Sequence, residues 1–573
     1  MSSPFASKLD TNYCPTDDEL VGIRDLLVEP LTRLKHLEAR IADLQKTIDE
    51  LTEERVAVST YVDAHRALIS PVRRLPLDIL QEIFMACLPT DRNCAMSMAE
   101  APVLLGRICS SWRTLSLSTP RLWCSLHIVE PMSGSVDVLG QRINSAIFKK
   151  KLAQRLETTA KWLSRSTQLP LSISFVGLPD INRTPAPASA RRTRLFLQAL
   201  IPFAHRWQSI KLWASWDALD SLSHLTDTDV PLLTKLDITQ QRGSARGEWP
   251  LPALLRASRL SGFAFAGQME LYALPVRWEN MTALSLTEHG TITCRRALEI
   301  LPKCARLQFC RLQVADEGPA AALDPDAPHL ELRFLHSLSV GCRGVSTTKL
   351  ARLLARLIVP ALRHLELHSD GRFRWDVAED TDPNDTTVAD LLVFIGTAPA
   401  FESLCLHMSI LSKKPLVDLV RGLPLSTTKL HFADHIWRRP MFGGGGGFEV
   451  GGDLDDDVIV ALTPAASGNP VAGCPALREL HITNSPRPSD RVLSRFITAR
   501  MTGPQASALR RVDIQFARQM QVDITPDIQS FLADGRLEVF ITYPPNRAAP
   551  NFSPWRGLPE ESGSKVAPMF SIF

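Results

Sequence analysis

Apolar residues between Asp17 and Leu68 recur at helical spacing. Leu27, Leu34, Ile41, Ile48, Arg55 and Val62 lie seven apart, and Leu37, Leu44, Leu51 and Val58 follow the middle four by three. That is an a/d heptad seam of about four repeats. Pro30 holds the d position before it, so the regular seam is expected to begin after Pro30. Arg33 at g and Glu38 at the next e attract across a parallel pair, whereas Arg40/Gln45 and Thr47/Thr52 add little. Arg55 at an a position weakens the seam. Two arrangements stay open at this point: a coiled-coil homodimer through residues 31–62, or an amphipathic helix folded back on its own chain. Residues 1–16 read as a loose tail.

The pattern changes over residues 71–126. Pro76 stands where a helix begins, because the first turn needs no amide donor there. Ile79, Leu80, Ile83, Phe84 and Leu88 then form one apolar face. Pro89–Ala101 is polar and loop-like. A second helix is expected through Leu104, Ile108, Trp112 and Leu115, stopped by Thr119-Pro120, and Leu122 and Trp123 follow as a large apolar pair. About 55 residues are marginal for an independent core. So many large apolar groups on one helix pair point to a module that buries them against a partner. The competing reading is an ordinary helical hairpin with a Trp-rich core.

From about Ile143 a third helical stretch puts Phe148, Leu152, Leu156 and Leu163 on one face, with Thr159 as its polar break. The remainder repeats a frame, apolar-x-x-apolar-x-apolar. It occurs at Trp207-Ile210-Leu212, Leu233-Leu236-Ile238, Leu260-Phe263-Phe265, Met281-Leu284-Leu286, Leu307-Cys310-Leu312, Leu335-Leu338-Val340, Leu362-Leu365-Leu367, Phe401-Leu404-Leu406, Leu477-Leu480-Ile482 and Leu509-Val512-Ile514, with a degenerate copy at Thr427-Leu430-Phe432. Most spacings sit in or near the 20–29 period of leucine-rich repeats. The two longest contain the acidic run Asp376–Asp390, and Gly443–Gly447 with Asp453–Asp457. The expected fold class is therefore α/β: N-terminal helices, then an irregular leucine-rich-repeat-like solenoid over residues 143–542 with a parallel sheet. Loops are expected near 179–194, 370–390 and 441–475, and a Pro-rich tail over 543–573. The alternative is a set of unrelated βα units.

Strand alternation selects what faces outward. Lys211, Lys235, Asp237, Arg311, His364, Glu366, His431, Glu479, His481, Arg511 and Asp513 flank the central frame positions. They would form a mixed-sign wall suited to a protein partner, or simply a solvated surface with no hot spot.

Composition narrows the function classes. Of 573 residues, 64 are Lys or Arg and 61 are Asp or Glu, a net charge of +3. That gives no ground for a nucleic-acid or membrane partner. No apolar run reaches membrane length, and Met1–Asn12 lacks the apolar stretch of an export signal. Eleven cysteines without a CxxC pair read as reduced thiols, so cytosol or nucleus is expected. No GxxxxGK[ST], HExxH or GxSxG motif occurs, and no Cys/His set has zinc spacing. Ser346–Lys349 and Ser426–Lys429 match Ser-x-x-Lys without its companion motifs. No catalysis, cofactor or metal is expected.

The segment 71–126 resembles the F-box. The family pattern is Leu-Pro, a helix ending Ile-Phe and a Leu, then Val-Cys-x-x-Trp-Arg, then Leu-Trp. This chain reads Leu75-Pro76, Ile83-Phe84, Leu88, Ile108-Cys109-Ser110-Ser111-Trp112-Arg113 and Leu122-Trp123. It departs in Asp78 for Glu, Ile108 for Val, and a longer loop between helices. A coiled coil directly before such a box is similar to the arrangement of F-box-like proteins of mushroom-forming fungi. The resemblance implies a helical domain docking on the Skp-type adaptor of a cullin-RING ubiquitin ligase (an SCF complex). Leu75, Pro76, Ile79, Ile83, Phe84, Leu88, Cys109, Trp112, Leu122 and Trp123 would supply the contact and its supporting core. The repeat array would then hold an unknown protein substrate for degradation. The alternative is a scaffold that self-associates through its coil and works outside any ligase.

Overall fold

A computed structural model describes residues 3–9, 11–131, 145–177, 186–240, 251–267, 274–289, 292–315, 329–343, 347–369, 387–408, 410–433, 454–464, 473–485, 488–502 and 509–543. The chain divides into two compact units, Met1–Ile83 and Phe84–Phe573.

The first unit is dominated by one 52-residue helix, Asp17–Leu68. Thr16 and Glu19 form a reciprocal capping box, in which the Thr16 amide donates to the Glu19 carboxylate at 3.0 Å. The segment before it, expected as a loose tail, contains a 3₁₀ turn at Ala6–Lys8. Lys8 pairs with Glu19 at 2.8 Å, and Tyr13 donates to the same carboxylate. The helix continues through Pro30, the position after which the regular seam begins. Good helix formers on both sides carry the chain past the one missing amide donor. The a/d seam lies open to solvent from Leu34 to Val62.

The second unit is built on parallel strands in sequence order. They are β1 (Ser125–Val129), β2 (Leu171–Val176), β3 (Trp207–Ala214), β4 (Lys235–Gln240), β5 (Gly262–Gly267), β6 (Ala283–His289), β7 (Phe309–Ala315), β8 (Ser337–Arg343), β9 (His364–Ser369), β10 (Ser403–His407), β11 (Lys429–Ala433), β12 (Glu479–Ser485), β13 (Arg511–Phe516) and β14 (Glu538–Thr542). All join one sheet, with the two-residue strand Ile292–Thr293 beside β7. Register keeps the apolar positions in two rows. Leu236, Phe263, Leu284 and Cys310 pair in one, and Ile238, Phe265, Leu286 and Leu312 in the other. Both rows are buried throughout. Among the described residues, helices or helical turns lie between successive strands at every step except β7 to β8, so the repeats cover their neighbours.

All eleven frames expected from the sequence are strands, β3 to β13. The sheet extends beyond them at both ends. It begins at Ser125, at the end of the segment expected to be a helix pair and ahead of the expected start at 143. Trp123-Leu126-Ile128 repeats the frame, but the helical spacing upstream masks it. β2 and β14 were also missed. β14 is the last strand, half-exposed along its length, and carries only Val539 and Ile541 as its frame.

The expected loops are corrected where the structure describes them. Residues 186–194 belong to the helix Ala186–Leu200, because Pro187 sits in its first turn and Ala190, Thr193, Phe196 and Leu197 form its buried face. Residues 387–390 open the helix Thr387–Gly396. Of the acidic run Asp453–Asp457, the described part is not simply a loop: Asp455 caps the helix Asp456–Ala461, accepting from the Asp457 amide, and Lys413 reaches Asp455 and Asp457 at 2.6 and 2.5 Å. Residues 179–185, 370–386, 441–453, 465–472 and 544–573 lie outside the described residues. The expected polar break Thr159 is fully buried, its hydroxyl donating to the Arg155 carbonyl. Among the described residues no helix is long and apolar enough to cross a membrane.

Candidate docking surfaces

The segment around the Leu-Pro pair begins with a 3₁₀ turn, Pro71–Arg74, and half-buried Leu75. Pro76 is exposed just before the helix Leu77–Ala86, and its carbonyl accepts the first helical bond from the Leu80 amide. In the first unit this helix exposes Ile79 and Ile83, four apart on one face, at 46% and 40%. Leu80, on the neighbouring face, is buried.

In the second unit Phe84 is fully buried, and its ring packs 4.8 Å from that of half-buried Trp112. Leu88 is half-buried. The expected second helix is interrupted: Leu105–Ile108 is a single turn, and Ser110–Leu117 starts afresh. The break is Cys109, exposed and extended at φ −154°, whose thiol accepts from the Trp112 amide at 3.4 Å. Arg113 returns to the Gly106 carbonyl at 2.8 Å and fixes the bend. Leu104 and Ile108 therefore stay exposed while Leu115 is buried. Leu122 and Trp123 are core residues. Trp123 donates to the Ser116 carbonyl at 2.8 Å, packs edge-on against Trp162 and lies under the Arg165 guanidinium.

The long inter-helix loop is anchored on the sheet. Asn93 accepts from Ser125 and Ser172 at 2.9 and 2.8 Å and donates to Ser174 at 3.0 Å. Ser174 is also 2.8 Å from His127 Nδ1. The His127 amide donates to the Cys94 carbonyl, adding a parallel rung beside β1. The loop thereby covers an edge that would otherwise invite foreign strands. Arg92 and Glu100 hold the loop closed at 2.6 Å.

The second surface is the face of the sheet opposite the apolar rows. All eleven outward residues expected from the sequence stand on it. Lys211, Asp237, Arg311, Glu366, His431, His481 and Asp513 occupy the row between the apolar rows, and Lys235, His364, Glu479 and Arg511 the row before. The face is less solvated than expected, since most of these side chains pair with each other. Lys211 meets Asp237 at 2.7 Å, and Lys429 meets Glu479 at 2.7 Å. Arg311 reaches Glu366 at 3.6 Å across Ser339, which donates to the same carboxylate. Arg511 contacts Asp513 at 3.4 Å and Glu538 at 3.7 Å. Burial raises the Asp237 pKa despite its lysine.

A histidine patch on this face was not recognised. His364 and His368 on β9, His407 on β10, His431 on β11 and His481 on β12 share four adjacent strands. His368 lies 5.7 Å from His407, and His431 lies 5.9 Å from His481. Cys405 Sγ is 3.4 Å from His431 Nδ1. Burial pulls His431 down to about 4, with His481 adding repulsion, and it also lowers His364 and His481. Burial pushes the Cys405 thiol up to about 12, so no reactive thiolate forms there. Gly341 leaves the space that His368 and Gln313 fill; a Cβ at that position would meet both. The same alternation that found Glu366 places His368 one step along, so the signal was present. Exposed Trp213 and Phe540 stand on this face near its two ends. Aromatic groups of this kind commonly anchor protein partners. Among the described residues no group of three or more His, Cys, Asp or Glu is placed to hold a metal ion.

No family profile and no curated protein matches this chain. Among solved structures it is similar to a chain from the crystal structure of the Rad7 and Elc1 complex in yeast. That match has 14% identity and a TM-score of 0.33, covering 77% of this chain and 93% of that one. A likeness this distant carries no function.

Proposed function

We propose that this protein is a non-catalytic adaptor whose segment 71–126 docks on a Skp-type partner of a cullin-RING ubiquitin ligase and whose parallel sheet holds a protein substrate. The observation that carries this reading is the two-faced helix Leu77–Ala86. Leu80 and Phe84 are buried, while Ile79 and Ile83 stay exposed. A helix made only to fill a core has no reason to keep two β-branched aliphatics at the same spacing in water. The F-box-like residues around it support the identity of the partner. Ile79 and Ile83 would make the contact, with Leu75 and Pro76 setting the start of the helix. Phe84, Trp112, Leu122 and Trp123 would hold it in place. The paired polar face, with Trp213 and Phe540 on it, suits a folded protein substrate, which the ligase would modify in cytosol or nucleus.

The test is a pull-down of purified full-length protein with a Skp-type adaptor. Ile79→Asp/Ile83→Asp is expected to abolish capture with the thermal midpoint unchanged. Trp112→Ala, which removes the ring packed on Phe84, is expected to weaken it. No capture by well-folded wild type would overturn the reading.

A further inference from the structure

The helix Asp17–Leu68 carries an apolar seam that its own unit leaves uncovered. From Leu34 to Val62 every apolar a and d residue is at least 37% exposed, and Ile41 reaches 66%. We propose that the occupant of this seam is a second copy of the chain, paired in parallel and in register over residues 34–62. The inference stands apart from the docking reading, since neither surface contributes a residue to the other.

Three features of the seam select this occupant. The first is the shape of its core residues. Of the apolar a positions Ile41, Ile48 and Val62 are β-branched and Leu34 is not, and the d positions hold Leu37, Leu44 and Leu51 with Val58 last. β-Branched residues at a with leucine at d favour two parallel strands over three or four. The second is Arg55. In a parallel, in-register pair each a residue faces its own counterpart, and the g residue just before it on the other chain lies alongside. That g residue is Glu54. Each Arg55 therefore meets the other copy's Glu54, and two cross-chain ion pairs close over the one polar layer. Among the described residues neither group has an ion-pair partner within the chain, although nearby Lys46–Glu50 and Asp63–Arg66 are paired. A slip of one heptad would set Arg55 against Ile48 or Val62, far from Glu54. A single polar a position thus fixes register. The third is the flanking charge. Arg33 faces Glu38, and Arg40/Gln45, Thr47/Thr52 and Glu54/Ser59 set no like charges opposite each other.

The assembly then carries two sheets. A ligand offering two copies of its epitope would bind the pair far more tightly than either alone, through effective concentration.

Size-exclusion chromatography with light scattering on the full chain tests the proposal. The expected mass is twice 63.5 kDa at micromolar concentration. Leu44→Lys/Leu51→Lys, both at exposed positions, is expected to give a single-chain mass with the thermal midpoint of the array unchanged. Arg55→Glu is expected to weaken the dimer about tenfold or more, the ratio that about 1.4 kcal/mol provides. Combining it with Glu54→Arg is expected to restore the dimer. Leu44→Cys is expected to give a disulfide-linked pair under mild oxidation, because d faces d only in the parallel register. A single-chain mass for wild type, a three-chain mass, or no linkage by Leu44→Cys in a dimer would overturn the proposal.

Discussion

Asn93 Nδ2 donates to Ser174 Oγ at 3.0 Å, joining two residues 81 positions apart. The same Asn93 carboxamide accepts from Ser125 and Ser172, so one side chain ties the inter-helix loop to both first strands. Through this one side chain the loop reaches β2 as well as β1.

Removing that side chain takes away the acceptor of the Ser125 and Ser172 hydroxyls and one donor to Ser174, which keeps His127. Asn93→Ala is expected to destabilise the second unit by about 1–3 kcal/mol in urea unfolding. Amide exchange should rise at His127, whose amide donates to Cys94. Unchanged exchange there would show that the loop holds its place without Asn93.

Arg500 is the second such tie. It is buried within the helix Asp490–Thr502, and its guanidinium donates to the carbonyls of Leu462, Gly473, Cys474 and Pro475 at 2.6–3.3 Å. Those carbonyls lie on both sides of residues 465–472, so one charge clamps the two ends together. Burial pulls its pKa down to about 10. Arg500→Met is expected to cost about 3 kcal/mol or more, because several buried carbonyls lose their donor together. Arg500→Lys should recover little, since an ammonium lacks the planar fork. Thermal unfolding of both variants checks this.

The histidine patch predicts an acid-sensitive fold. His431 titrates near 4 in the folded chain against an ordinary 6.5, because burial disfavours its charged form. Below the ordinary value the unfolded chain binds a proton that the folded chain refuses. Stability is therefore full above about pH 6.5 and falls as pH drops toward 4, by about 2–3 kcal/mol for this one group. His364 and His481 act in the same direction. His431→Gln should flatten that acid limb in urea unfolding measured from pH 7 to pH 4. An unchanged slope would place the sensitivity elsewhere.

Trp123 and Ile79 belong to one sequence pattern but should behave differently. Trp123→Ala removes a ring packed on Trp162 and a donor to Ser116, and is expected to cost about 3–5 kcal/mol. Ile79→Asp changes an exposed position and should leave the thermal midpoint within a degree or two of wild type. Equal losses in the two variants would mean that Ile79 is buried in solution.

The sequence alone determined the strands β3 to β13 and which side chains of each share a face. Two rows of apolar residues at a spacing of two can be buried only by a pleated strand, and that rule is local. It was sufficient to put Glu366, His431 and Asp513 on one surface with no knowledge of the sheet. It also gave the long helix, whose heptad seam is written residue by residue. Local rules failed where burial depended on distant neighbours. Residues 186–194 look like a Pro- and Arg-rich loop until Ala190 and Thr193 find a core to face. The break at Cys109 could not be read from Leu104, Ile108 and Trp112, whose spacing suits an unbroken helix. Nothing near Asn93 in the chain announces Ser125, Ser172 or Ser174. Nor does the chemistry of Arg500 announce four carbonyls on another segment. Periodicity encodes which face is buried, because the pleat and the helical turn are properties of the local backbone. Which groups then meet across that buried face is set by how repeats stack, and only the tertiary structure decided it.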